Sequence, residues 1–213
     1  MNFWRFVTQN RFEIATLTLE HLWIVGISTL LAIIVGIPLG ILITRKRSLH
    51  KPVIAAANII QTVPSLALFG FLLPAPWIGE RAGRLAILAL MAYALLPLIR
   101  NTYVGITSVD RAIVDAARGM GLTDWQLLYK VELPLAASVI LAGIRVALVI
   151  SIGLGTIAAA IGAGGLGELI FRGLAMVNNA VILAGAIPAA AMALLADTVL
   201  GWLEKRFAPQ RTA

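Results

Sequence analysis

Long uncharged apolar runs, rather than alternating polar and apolar positions, dominate this chain. Leu22 to Thr44 and Pro52 to Gly79 hold no charged residue. Leu85 to Ile99 is uncharged and then meets Arg100. Leu133 to Gly167 contains basic Arg145 as its one charge before Glu168, and Gly173 to Ala196 is uncharged ahead of Asp197. A helix rises about 1.5 Å per residue, so the first run reaches roughly 34 Å, enough for a hydrocarbon core of about 30 Å. The pattern predicts five spanning helices, over roughly 22–44, 53–76, 84–106, 135–161 and 180–203, in a single domain 1–213. The expected fold class is all-α, a polytopic membrane protein. Gly36-x-x-x-Gly40 and the Gly153/Gly155 pair permit close helix approach. Pro38, Pro64, Pro97 and Pro188 interrupt the helical ladder inside these runs.

The polar stretch Thr107–Glu132 separates the third and fourth spans, within a loop over 107–134. Ile113, Ala116, Ala117 and Met120 recur at helical spacing, and Leu127, Leu128 and Val131 form a second stripe. The spacing predicts two short helices broken at Gly119-Met120-Gly121, the second capped by Thr123 with Gln126 at capping-box spacing. Pro134 stands where the first turn of the next helix is expected. Such a pair could fold back on the membrane or dock in a groove of another protein.

Composition sharpens this. The chain has 213 residues, 60% hydrophobic and 13% charged, where a soluble domain carries about 25% charged. That excludes intrinsic disorder and a water-facing surface on all sides. With no cysteine there is no disulfide framework, thiolate nucleophile or Cys-ligated metal. His21 and His50 stand alone and read as interfacial residues, so no metal site or catalytic residue is expected. Trp4, Trp23, Trp77, Trp125 and Trp202 lie near span boundaries and read as lipid-interface anchors.

Seventeen Lys and Arg face ten Asp and Glu. No basic stripe on a soluble domain points to nucleic acid, and the surplus reads as membrane topology. With the N-terminus outside and the C-terminus cytoplasmic, ten basic residues fall on cytoplasmic segments (Arg45, Lys46, Arg47, Lys51, Arg111, Arg118, Lys130, Lys205, Arg206, Arg211) and five outside (Arg5, Arg11, Arg81, Arg84, Arg172). Arg100 and Arg145 are set aside as embedded. The charged N-terminal residues and the late, long apolar run favour a retained span over a cleaved signal.

Asp115-Ala116-Ala117, three residues, Gly121-Leu122, then Val131-x-Leu133-Pro134 resembles the EAA loop of ABC-importer permeases, with Asp for Glu and Val for Ile as the departures. Gln61–Ala67, Leu96–Tyr103, Ile140–Arg145 and Ile161–Gly167 resemble the osmoprotectant branch of that family, which imports glycine betaine, choline or carnitine. The Gly162–Gly167 stretch is shared with methionine-type permeases. The resemblance implies the type I importer permease fold, in the bacterial inner membrane, working by alternating access. It implies three partners: a separate ATPase that binds ATP and Mg, an extracytoplasmic solute-binding protein, and a second permease subunit, identical or similar. The 107–134 loop would be the coupling helix, with Asp115, Ala116, Ala117, Gly121, Leu122, Leu133 and Pro134 at the ATPase. Asp115 would pair with a basic group there or cap its own helix. The chain itself has no phosphate-binding loop and is expected to bind no cofactor.

Two readings rest on the residues alone. Asn58, Gln61, Thr62 and Ser65 around Pro64 either line the solute path or bond between helices. Arg145 and Asp197, costly in lipid, are candidates for an intramembrane ion pair. Competing functions are an ABC permease for another small solute such as methionine, an ATP-independent secondary transporter, and a membrane scaffold.

Overall fold

The computed structural model describes residues 2–72 and 82–207. Trp77, Arg81, Arg211 and the expected end of the second span, 73–76, lie outside them. Among the described residues every regular element is helical: α1 Phe3–Gln9, α2 Arg11–Arg45, α3 Arg47–Thr62, α4 Ser65–Leu72, α5 Ala82–Thr107, α6 Arg111–Gly119, α7 Asp124–Leu127, α8 Leu133–Ala158, α9 Gly167–Ala175 and α10 Asn179–Phe207. A π-helical turn, Leu128–Glu132, joins α7 to α8.

The helix α5 forms the centre, with α2 on one side and α8 on the other. Small residues make this closeness possible. A side-chain carbon on Gly36 would stand 2.9 Å from Leu98 Cβ, and one on Gly143 2.7 Å from Asn101 Cβ. Ala32, Ala94 and Ala147 are fully buried at the same junction. Gly155 closes against His21 of α2, whereas Gly153 meets nothing within 4 Å and has no close-approach role in this chain. Further out, α10 packs on α8, α9 packs on α10, and α1 lies against α10. Leu30, Ile34, Leu183, Leu194 and Leu195 are exposed, an outer surface suited to lipid rather than water.

Among the described residues, four continuous helical segments are long and apolar enough to cross a membrane: Arg11–Arg45, Ala82–Thr107, Asp124–Ile161 and Asn179–Phe207. Two departures from the expected spans have physical causes. The helix α2 begins at Arg11, well before Leu22, because hydropathy marks the lipid-immersed part and not the helix end. Its polar first turns are held by partners, Glu13 by Arg172 at 2.7 Å and Glu20 by the Gly165 N–H at 3.2 Å. The second expected span is not one helix. The helices α3 and α4 pass the same length test only as a pair, bent by 98°. A residue before proline is pushed out of the α region, and Val63, ahead of Pro64, is extended at φ −67°, ψ 129°. The Tyr93 hydroxyl of α5 donates to the freed Val63 carbonyl.

Candidate functional site

The loop between α5 and α8 folds as two capped helices. Asp110 starts α6, its carboxylate accepting from the Ala112 N–H at 2.9 Å. Capping therefore does not fall to Asp115, which lies exposed inside α6. The chain leaves α6 through Gly121, at φ +84°, in the left-handed region that costs other residues about 1–2 kcal/mol. The turn is closed by hydrogen bonds from Met120 N to Ala116 O at 3.0 Å and from Leu122 N to Ala117 O at 3.3 Å. The helix α7 opens on a reciprocal capping box. Gln126 N donates to Thr123 Oγ1 at 3.3 Å, and Thr123 N donates to Gln126 Oε1 at 2.9 Å.

The expected loop residues divide by exposure. Ala117 is buried, Leu122 and Leu133 are half-buried, and Asp115, Ala116, Gly121 and Pro134 are exposed. Ile113, Met120, Trp125 and Tyr129 are also exposed, so the loop presents an apolar surface that nothing among the described residues covers. Pro134 lies in the first turn of α8, as expected. It follows the π turn, where the Leu133 N–H donates to the carbonyl of Leu128, five residues back. Proline has no N–H to give to Lys130, and the wider turn absorbs that loss.

Glu132, which the sequence did not single out, is buried at the end of this turn, its side chain 7% exposed. Arg45, the last residue of α2, holds both of its carboxylate oxygens, with Nη1 to Oε1 at 3.2 Å and Nη2 to Oε2.

In the second segment Asn58, Thr62 and Pro64 are exposed, and Gln61 and Ser65 are half-buried. The Thr62 hydroxyl donates to Ile59 O at 2.8 Å on its own helix. Among the described residues, Asn58 and Thr62 therefore do not sit between helices. Arg145 on α8 stands 3.5 Å from Asp197 and 3.0 Å from Glu204, both on α10. Glu204 was absent from the sequence expectation because it lies past the apolar run.

His21 corrects the sequence reading outright. It is 1% exposed, not interfacial. Its Nε2 lies 3.1 Å from Ile152 O, and a carbonyl only accepts, so this nitrogen carries the proton. His50 stacks on Tyr103 with ring centroids 4.2 Å apart. Outside the spans, the hydrogen bond that Arg172 donates to Glu13 is the main influence raising Arg172 above its ordinary pKa.

The chain matches a chain of the MetNI methionine ABC transporter in inward-facing form with a TM-score of 0.81, at 23% identity, over 89% of this chain and 94% of that one. It matches an amino acid ABC transporter solved with histidines at 0.80, with 16% identity, over 97% and 99% of the two chains. These likenesses establish the fold.

Residues 36–210 match the family described as the binding-protein-dependent transport system inner membrane component, and the chain belongs to that family. It is 52% identical to the glycine betaine/carnitine/choline transport system permease protein of Bacillus subtilis, over 84% of this chain and 78% of that protein. Over 96% of both chains it is 42% identical to the osmoprotectant import permease protein of Salmonella typhimurium. A carnitine transport permease protein of Listeria monocytogenes is 43% identical over 96% of this chain and 93% of its own.

Proposed function

We propose that this chain is the transmembrane permease subunit of an ATP-driven importer for osmoprotectants such as glycine betaine, choline or carnitine. The observation that carries this reading is the Asp115–Pro134 pattern folded as two capped helices with an uncovered apolar face, in a chain whose relatives are osmoprotectant permeases. The chain is a non-catalytic membrane component. Its partners are an ATPase, which binds ATP and Mg, and an extracytoplasmic solute-binding protein. A second permease subunit completes the path. The N-terminus lies outside and the C-terminus in the cytoplasm, which puts α6 and α7 on the side where ATP is available.

In this reading the two helices enter a cleft of the ATPase. Ile113, Met120 and Trp125 supply apolar contact, and Asp115 is free to meet a basic group. Closure of two ATPase subunits draws the paired loops together and turns the path outward, and reopening turns it inward. Asn58, Gln61, Thr62, Pro64 and Ser65 face the second permease subunit across that path. Solute selection rests mainly with the solute-binding protein.

The test is uptake of labelled glycine betaine, choline and methionine by vesicles carrying the reconstituted complex, with and without ATP. Osmoprotectant uptake that requires ATP is expected. Uptake driven by an ion gradient alone would overturn the reading, and ATP-dependent uptake of methionine alone would replace its solute class.

A further inference from the structure

The helices α6 and α7 make their substantial contacts with each other and with the Leu128–Glu132 turn, among the described residues. Besides the short link from Thr107 of α5 to Arg111 of α6, force on them enters the bundle through that turn. One route is covalent, along the continuous helix from Asp124 to Ile161. The second crosses to α2. Leu128 is buried in a cluster against which Ile37 and Ile41 of α2 pack, and Arg45 grips the Glu132 carboxylate with two nitrogens.

The chemistry of this contact is specific. A carboxylate shielded from water is costly unless a cation and hydrogen bonds compensate it. Arginine supplies two parallel donors that fix the plane of the carboxylate as well as its distance. Arg45 is also held at the C-terminal end of α2, where the helix dipole favours a cation. A buried pair often adds little net stability compared with apolar packing, and its best-attested use is to define one geometry.

We propose that the Arg45–Glu132 ion pair is a positioning clamp that makes α2 and the start of α8 move as one body when the two-helix loop is displaced. This rests on the coupling reading given above. Glu132 touches neither solute nor ATPase in this scheme. It acts through Arg45, by denying the loop the freedom to tilt α8 alone. Without the clamp the ATPase cycles while α2 lags, and hydrolysis is wasted.

The experiment uses the complete complex in vesicles, with solute uptake and ATP hydrolysis measured on the same preparation. The chain has no cysteine of its own, so Arg45→Cys with Glu132→Cys places the only two thiols of the permease where the pair stood. Before cross-linking, uptake per ATP is expected to fall about fivefold or more with basal hydrolysis unchanged, the low end of the change expected when coupling between two sites is lost. A short bifunctional thiol reagent that ties the two positions is expected to restore the ratio, and reduction to abolish it again. The charge exchange Arg45→Glu with Glu132→Arg is expected to recover part of the loss shown by Glu132→Gln.

An unchanged ratio in the untied variant, or a tie that blocks uptake, would overturn the clamp. The first outcome means that the pair does not transmit motion, the second that the two helices must separate. Variants that fail to assemble with the ATPase would also overturn it, by making the pair a folding element. Gly121→Arg separates this inference from the reading beneath it. If Gly121→Arg uncouples and the pair variants do not, only the clamp falls. If Gly121→Arg leaves stimulated hydrolysis and uptake intact, the coupling reading falls and the clamp with it.

Discussion

Gly40 and Gly121 are glycines for opposite reasons. A side-chain carbon on Gly40 would stand 2.5 Å from Thr102 Cβ and 3.0 Å from the Ile99 carbonyl, where α2 crosses α5. At Gly121 there is open space, and the constraint is the backbone, at φ +84°. Overpacking a well-filled contact costs about 1–3 kcal/mol, so Gly40→Ala is expected to destabilise by roughly 2 kcal/mol. Gly121→Ala is expected to cost about 1 kcal/mol through left-handed strain alone. Gly26, which meets nothing within 4 Å and has no unusual φ, is the control for alanine in a helix. Thermal unfolding of the purified chain in detergent measures all three, and a Gly40→Ala variant as stable as Gly26→Ala would contradict the close crossing. The spacing Gly36-x-x-x-Gly40 announced a close contact but not its partner. The Gly119-Met120-Gly121 break was equally visible, because a turn signal is local. His21 was misread for the complementary reason. Its burial comes from Ile152, Gly155 and Gly165, all far away in sequence, and no local pattern encodes them.

Among the elements, the bend between α3 and α4 tests how a proline break is held. Pro64 removes a donor and Val63 turns extended, so the Val63 carbonyl needs another partner, which Tyr93 provides from α5. Tyr93→Phe keeps the ring and removes that donor. The expected cost is about 1 kcal/mol, the net worth of a neutral hydrogen bond, read as a shift in thermal unfolding. No shift would show that water reaches the carbonyl instead. The residues of the break could be read in the sequence and the 98° angle could not, since apolar content is the same whether a helix continues or turns. The α8–α10 contact makes a second case. Arg145 is 3.0 Å from Glu204, whose side chain is 29% exposed, and 3.5 Å from Asp197, 55% exposed. Double-mutant cycles are expected to give a coupling of roughly 1 kcal/mol for Arg145 with Glu204 and less than about 0.5 kcal/mol for Arg145 with Asp197. Equal couplings would mean that distance and exposure do not rank these partners. The expected span ended at residue 203, one short of Glu204, while the helix runs on to Phe207.

At the scale of the molecule, orientation joins charge distribution to function. The coupling reading requires the two-helix loop to face the compartment that holds ATP, and the basic-residue bias favours the same orientation. The turn between α9 and α10 must then lie outside. Both places offer exposed side chains, Met120 on the loop at 75% and Val177 on the turn at 89%. The absence of native cysteine makes each a clean reporter. A maleimide that cannot cross membranes, applied to intact cells whose outer barrier has been opened, is expected to label Val177→Cys and spare Met120→Cys. Applied to inside-out vesicles stripped of the ATPase, which otherwise covers Met120, it is expected to label Met120→Cys and spare Val177→Cys. The reverse pattern would place α6 and α7 away from ATP and remove the coupling reading, whatever the transported solute. Labelling of both from one side would mean that the helices between them cross the membrane an even number of times. The single long segment from Asp124 to Ile161 crosses once on the way from the loop to that turn, so opposite labelling follows directly from the fold.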